Sequence, residues 1–415
     1  MSDYFIVFLV IIVAVAALLH EDFILTLFYF VIGTYGVSRW WSGRALRSIT
    51  VLRTFNNRAF LNDKVTIGLD VRNVSALPVV WLRLSDSLPT ELAGAETFRR
   101  VVSIGPHGRR RFEYVLQPVR RGYYPIGPLF LYSSDVLGLA EERARQTEVE
   151  HLTVYPRIIP FTGVELPSRS PMGTLHHHQP IFEDPTRVRG KRDYVAGDSL
   201  RRVDWKATAM LGRMQVKLFE PSIALETAIF LDLNTNDYYY RTSIDATELG
   251  IVVAASVANW VARQKQTVGF ATNGIDVLSV DGHAPILPPE KGHGQLMRIL
   301  DVLARIQTTD APSSSGAAAG PSSVAEQTQV RGSFVELLRR QRVHMAWGTT
   351  VVLITGNAER DLFDELFQMR RAGLNTVLIL CGHVIEAKEI KSRAQHFGIP
   401  VHFFISEQDM DVWRK

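Results

Sequence analysis

Residues 227–237 read TAIFLDLNTND, a short apolar run that breaks at an aspartate into Asn, Thr and Asp. Four to eight apolar residues bounded by turn formers predict a buried strand with a polar loop at its carboxyl end. Outward along the chain, starting from that strand at Thr227–Leu233, the same pattern returns at Thr267–Thr272, Thr350–Thr355, Thr376–Cys381 and Val401–Ile405. Helical periodicity falls between the strands, at about 245–263, 292–306, 332–342, 359–372 and 385–397. Strand and helix in alternation predict an α/β domain over 224–415, with an open, mostly parallel sheet covered by helices. Inside it, 308–329 is rich in Ser, Ala, Gly and Pro and predicts a disordered insert.

Upstream the period changes. Over 46–156 the segments SITVLRTF, KVTIGLDVRN, VVWLRLSD, FRRVVSI, RRFEYVLQ, GYYPIGPLFLYS and HLTVYP predict an Ig-like β-sandwich of about seven strands, with one helical stretch near Leu137–Gln146. Residues 157–223 are a basic connecting segment. At the start, residues 5–19 (FIVFLVIIVAVAALL) and 23–37 (FILTLFYFVIGTYGV) are uncharged and flank His20-Glu21-Asp22. Each run with its flanks reaches roughly 25 Å against a hydrocarbon core of ~30 Å. That predicts a transmembrane helical hairpin over 1–45, with spans at about 4–20 and 23–38 and Trp40 and Trp41 at the interface. Arg39, Arg44, Arg47, Arg53 and Arg58 follow the second run, so the positive-inside rule predicts a two-pass protein of the cell inner (cytoplasmic) membrane with its soluble domains facing the cytoplasm. The alternative, one span plus a buried helix, would place those domains outside.

Length and composition agree with that division. The chain has 415 residues, 46% of them hydrophobic and 21% charged, which is globular and excludes wholesale disorder or a many-span transporter. A net charge of +4 does not argue for nucleic acid, and the single cysteine, Cys381, excludes an intrachain disulfide or a Cys-rich metal site. Local charge is another matter. Arg187–Lys217 holds nine Lys or Arg against three Asp, and Arg99–Arg121 holds seven Arg against one Glu.

Two constellations carry the functional expectations. Asp232, Asn234 and Asn236 stand two apart just past the first parallel strand, where open sheets place ligands, and can turn three oxygens toward one Mg²⁺. The competing reading is a strand-to-helix turn capped by its own Asp and Asn side chains. The second constellation runs from Arg192 to Ala209 and contains Arg192, Tyr194, Gly197, Asp198, Arg201, Arg202, Asp204, Trp205 and Lys206. Gly197-Asp198 predicts a tight turn with Asp198 capping a short helix from about Ser199, beside an ionic and aromatic cluster of Arg201, Asp204, Trp205 and Lys206. Anionic lipid, an acidic partner protein and phosphates compete for the basic charge, nucleic acid being the weakest of the three for want of a binding motif. A solvated linker with arginines paired to neighbouring acids remains the alternative.

The run R-x-Y-x-x-G-D-x-x-R-x-V-D-W-K-A-T-A, followed by Val216-Lys217, Phe219-Glu220 and FLDLN, resembles domain-of-unknown-function family fifty-eight, and the likeness covers nearly the whole chain. Met210 stands where that family often closes the motif with arginine. The resemblance implies a membrane hairpin, a sandwich and a von Willebrand factor A-like domain, encoded beside a MoxR-type AAA+ ATPase. It implies that ATPase as partner, other membrane-anchored von Willebrand factor A proteins as further partners, and an adaptor or chaperone-like assembly role. The von Willebrand factor A fold carries D-x-S-x-S where this chain has Asp232, Asn234 and Asn236, so a cation-dependent binder of protein ligands is the alternative role. No P-loop, dinucleotide, zincin or nucleophile-elbow motif occurs, which predicts a non-enzyme. Cys381 with His383 reads either as a thiol beside a base or as a small buried strand end, His176–His178 as a solvated loop, and Phe334, Leu337 and Leu338 as the buried side of a helix.

Overall fold

The computed structural model describes residues 7, 11, 22–93, 98–133, 143–161, 183–195, 202–221, 226–309 and 334–413. The protein is mixed α/β and divides into two compact units, Met1–Arg157 with Leu303–Arg305 and Ile158–Val302 with Ile306–Lys415.

The first unit opens with helix α1 (Asp22–Arg47), which runs unbroken through the second apolar run and both tryptophans. Val7 and Ile11 are helical, and the rest of the first run lies outside the described residues. Strands β1 (Ile49–Thr54), β2 (Arg58–Phe60), β3 (Val65–Asn73), β4 (Val79–Asp86), β5 (Leu92–Ala93) and β6 (Arg99–Ile104) follow. After them come β7 (Arg109–Pro118), β8 (Gly122–Ile126), β9 (Leu129–Ser133), β10 (Arg143–Gln146) and β11 (Glu150–Tyr155). They form sheets of order β1-β3-β7-β5, β10-β9-β4-β6 and β2-β11-β8. Alternation sets the core: Ile67, Leu69 and Val71 of β3 meet Leu82 and Leu84 of β4 inside, with Leu46 of α1 joining them.

Two expectations change here. The stretch GYYPIGPLFLYS is two strands in different sheets, because Gly127 sits at φ 102° and Pro128 has no N–H to continue a ladder. The end of the expected helical stretch, Arg143–Gln146, instead pairs antiparallel with β9, so that Arg143 faces Ser133 and Gln146 faces Phe130. Short strands β2, β5 and β10 account for the rest of the excess over seven.

In the second unit, β12 (Glu183–Asp193) and β13 (Gln215–Pro221) form an antiparallel pair around helix α2 (Trp205–Leu211). The expected basic connector is therefore a folded element. Then come β14 (Glu226–Leu231), α3 (Ser243–Arg263), β15 (Thr267–Thr272), β16 (Ile275–Asp276), β17 (Leu287–Glu290), α4 (His293–Arg305) and β18 (Ile306–Gln307). Helix α5 (Phe334–Arg342), β19 (Thr350–Thr355), α6 (Arg360–Arg371), β20 (Asn375–Cys381), α7 (Ala387–His396) and β21 (Val401–Phe404) complete the unit. Residues 310–333, most of the expected insert, lie outside the described residues.

The six-stranded sheet has order β17-β15-β14-β19-β20-β21, parallel throughout except for edge strand β17. Pro288 and Pro289 suit β17 to an edge, where a missing N–H leaves no interior bond unmade. One face of the sheet, with Ala228, Phe230 and Leu353, packs against Leu338, Leu366 and Ile390. On the other face Gly250 of α3 sits close to Leu231 and Ile354. Among the described residues, α3 is the one helix long and apolar enough to cross a membrane by composition, and 72% of that stretch is buried. In α1 the apolar stretch is the shorter Phe28–Ser38.

One ion pair joins all three sheets of the first unit. Arg53 Nη2 donates to both Asp86 oxygens, at 2.8 and 3.0 Å, with side chains 4% and 0% exposed. Arg53 Nη1 donates to Ile126 O at 2.9 Å, and Tyr114 Oη donates to Asp86 Oδ2 at 2.5 Å. Burial beside this carboxylate pushes the Tyr114 phenol far up, so it stays a donor. Asp86→Ala strands a buried guanidinium and is expected to destabilise the sandwich by about 3–5 kcal/mol. Denaturation followed on the full chain should show that transition shift while the α/β transition stays in place, and Arg53→Met with Asp86→Leu should recover most of the loss.

Candidate functional site

The chain leaves β14 for β15 on one side and later places β19 on the other, so the sheet order reverses between β14 and β19. The carboxyl ends of these strands flank the crevice where open sheets bind ligands. Asp232 sits there, 1% exposed. Its Oδ1 accepts from Asn234 N at 3.0 Å and from Asn273 Nδ2 at 2.8 Å, and its Oδ2 accepts from Thr355 Oγ1 at 2.8 Å. Tyr238 Oη donates to Asp232 O at 2.7 Å, and Leu233 N donates to Asn273 Oδ1 at 2.7 Å. Burial, then the charge of Asp237, pushes the Asp232 carboxyl up to about 7 against the pull of its three donors.

Asn234 serves the turn itself. Its Oδ1 accepts from Asn236 N at 3.2 Å, capping the 3₁₀ turn Thr235–Asp237, and its Nδ2 donates to Asp237 Oδ2 at 3.1 Å. Asn236 enters this ring through its backbone and is exposed. The residues as arranged do not fit a Mg²⁺ centre: the oxygens of Asp232 and Asn234 are met by N–H and O–H donors of the chain, and an ion would have to displace them. Among the described residues no group of three His, Cys, Asp or Glu is placed to hold a metal. Asn273 was not foreseen; the polar Asn-Gly pair directly after TVGFAT was its one signal. Cys381 is buried, which pushes its thiol well up, while exposed His383 packs on the Tyr239 ring at 5.4 Å. Thiol and imidazole are not a pair.

In the basic segment, the α-helix begins at Trp205 and its cap is Asp204, which accepts from Lys206 N and Ala207 N, both at 3.1 Å. The expected turn at Gly197-Asp198 and the helix from about Ser199, with Arg201, lie outside the described residues. Asp204 Oδ2 also pairs with Lys191 Nζ at 2.7 Å; this contact, then the Ala207 N–H, holds its carboxyl below the usual range. The helix is fixed to β13 by the Val203–Val216 bridge and by Asp204 N donating to Gln215 O at 2.8 Å. Arg192 lies in β12 opposite Val216, and Tyr194 N donates to Met214 O at 2.9 Å. Ala207 is buried, whereas Arg202, Trp205, Lys206 and Met210 face outward. Of the expected cluster of Arg201, Asp204, Trp205 and Lys206, Asp204 takes Lys191 across the hairpin as its ionic partner, and Arg201 lies outside the described residues.

This capped helix and the strand-end ring fall inside one matched region. Residues 190–388 match the family described as Protein of unknown function DUF58. The family expected from the Arg192–Ala209 run is the one found. The uncharacterized protein YeaD of Bacillus subtilis (strain 168) is 26% identical over 238 residues, 55% of this chain and 57% of that protein. The chain therefore spans little more than half of that relative. Among solved structures, the CARDB domain of the PF1109 protein from Pyrococcus furiosus shares 12% identity over 26% of this chain and 86% of that one, with a TM-score of 0.19. The human zinc 2-glycoprotein–prolactin inducible protein complex shares 16% over 25% and 92%, at 0.21. Likenesses at those scores carry no argument.

The DUF58 region holds a testable titration. An acid whose folded pKa lies near 7 instead of 3.8 keeps its proton in the folded state between those values, so its contribution to stability falls as pH rises from about 4 to about 7. Asp232→Asn keeps the neutral shape and both acceptor bonds of Oδ1. Its melting temperature should fall less than that of the native chain between pH 5 and pH 8, and equal slopes would refute the assignment.

Proposed function

We propose that this protein is a non-enzymatic, membrane-anchored adaptor or chaperone-like assembly protein that works with a MoxR-type AAA+ ATPase. The observation that supports it best is the outward face of α2, where a capped, strand-pinned helix in the DUF58-matched segment holds Trp205 and Lys206 in solvent. An indole fixed outward among cations is a contact residue by its chemistry, since buried Trp and Arg anchors dominate protein interfaces. In this reading α1 contains the second of two membrane passes, with spans at about 4–20 and 23–38, and Arg44 and Arg47 lie exposed at its cytoplasmic end. The chain then belongs to the inner membrane with both units in the cytoplasm. The α/β unit is read as von Willebrand factor A-like, in keeping with an aspartate ending its first parallel strand, and other membrane-anchored proteins of that fold are further partners.

Two measurements test the reading. The detergent-solubilised full-length chain should co-purify with an AAA+ ATPase after crosslinking, and Arg202→Glu with Lys206→Glu should lower recovery by ~10-fold or more, the equivalent of about 1.4 kcal/mol. Undiminished recovery would remove the segment from the interface. Added Mg²⁺ should leave the melting temperature unchanged; a rise that disappears in Asp232→Ala would instead establish the cation-dependent binder.

A further inference from the structure

Two surfaces of the second unit expose large apolar side chains, and their charges are opposite. The first is α2, where Trp205 is 66% and Met210 81% exposed. Around it the described charged side chains are Lys191, Arg192, Arg202, Lys206, Arg213 and Lys217 against Asp193 and Asp204, so the surface stays net basic after the Lys191–Asp204 and Arg213–Asp193 pairs. The second is the carboxyl end of the six-stranded sheet. Tyr240 and Ile244 follow β14, Ile385 follows β20 and Ile405 follows β21, exposed by 71%, 64%, 77% and 69%. Because β15, β14, β19, β20 and β21 are parallel, their following loops emerge on one side, across four strand spacings or ~19 Å. The loops 232–245, 273–286, 356–359, 382–386 and 405–409 together hold nine Asp or Glu and a single Arg, Arg241. Asp232 and Asp276 are buried; the other seven carboxylates reach the surface.

Clustered exposed apolar side chains mark a contact surface, and charge selects its occupant. Rim against rim, or helix against helix, would set like charges face to face. Helix against rim pairs Lys and Arg with Asp and Glu, and it buries Trp205 and Met210 against side chains such as Tyr240, Ile244 and Ile385. We infer that copies of this chain associate head to tail, the α2 surface of one on the strand-end rim of the next. This is a heterologous contact between identical chains, which adds a second copy of the protein to the ATPase reading and does not depend on it. The apolar centre and the opposed charges together supply affinity, and the charges also supply orientation and association rate.

The test uses purified, detergent-solubilised full-length protein without any ATPase. Its mass distribution is followed with concentration at low and high salt, for the native chain, for Trp205→Ser with Met210→Ser, and for Ile244→Ser with Ile385→Ser. All four positions are exposed, so melting curves should match the native chain's. The native chain should form concentration-dependent oligomers that disperse in high salt. Each double variant alone should be monomeric at concentrations where the native chain is not. Their equimolar mixture should form dimers and nothing larger, since one intact helix surface then meets one intact rim. A native chain that stays monomeric, variants that still oligomerise through any surface, or a mixture that stays monomeric would each overturn the inference.

Discussion

A carboxylate buried at the end of a central parallel strand must find donors within the protein or remain protonated. Asp232 draws them from both neighbours, from Asn273 beyond β15 and from Thr355 at the end of β19, with Asn234 N completing the set. The three central strands are thereby tied at the point where their order reverses. Tyr238 seals the base of the ring, and any Cβ at Gly356 would collide with its phenol. The crevice in which open sheets ordinarily hold a ligand is filled by the chain's own side chains.

The sandwich uses the same device with a full ion pair. Arg53 comes from β1, Asp86 from β4, Tyr114 from β7 and the Ile126 carbonyl from β8, so one buried network samples all three sheets. Such a pair adds little net stability compared with a well-packed apolar replacement, yet breaking it is costly. It links strands of all three sheets through one set of contacts. Toward the end of α1, Arg44 and Arg47 are exposed, and Arg44 lies over the Trp40 ring at 5.8 Å.

What could be read from the residues follows the physics of each signal. The parallel strands and their helices were legible within about two residues, because apolar periodicity is imposed by burial on both faces of the sheet. Strand β17 was not, since LPPE lacks that pattern and an edge position tolerates it. The β12–β13 pair escaped for a related reason: it is strongly charged, and its register slips between Asp184 and Val188 and again between Val188 and Gly190, so no alternation survives. In the ring, Asp232 and Thr355 stood out at strand ends, whereas Asn273 depended on knowing that β15 lies beside β14. The helix from Trp205 escaped because its cap, Asp204, is set by contacts distant in sequence, with Val203 and Gln215 fixing it against β13.

The near-neutral total of +4 conceals a strong segregation of charge. One short stretch is basic, and the loops at one end of one sheet are acidic. Beyond buried Asp232 and Asp276 and the Lys191–Asp204 and Arg213–Asp193 pairs, the described charged side chains of these two patches lie at the surface, outside the apolar core. Crowding like charges on a surface opposes compactness, so each patch is a standing penalty in the isolated chain. Exposed Trp205, Met210, Tyr240 and Ile385 add a second penalty at the same places. Covering one patch with a surface of opposite sign relieves both at once. Both surfaces keep a net charge of one sign after their own ion pairs, Lys191–Asp204 and Arg213–Asp193 in the α2 segment, and that net charge coincides with the apolar exposure.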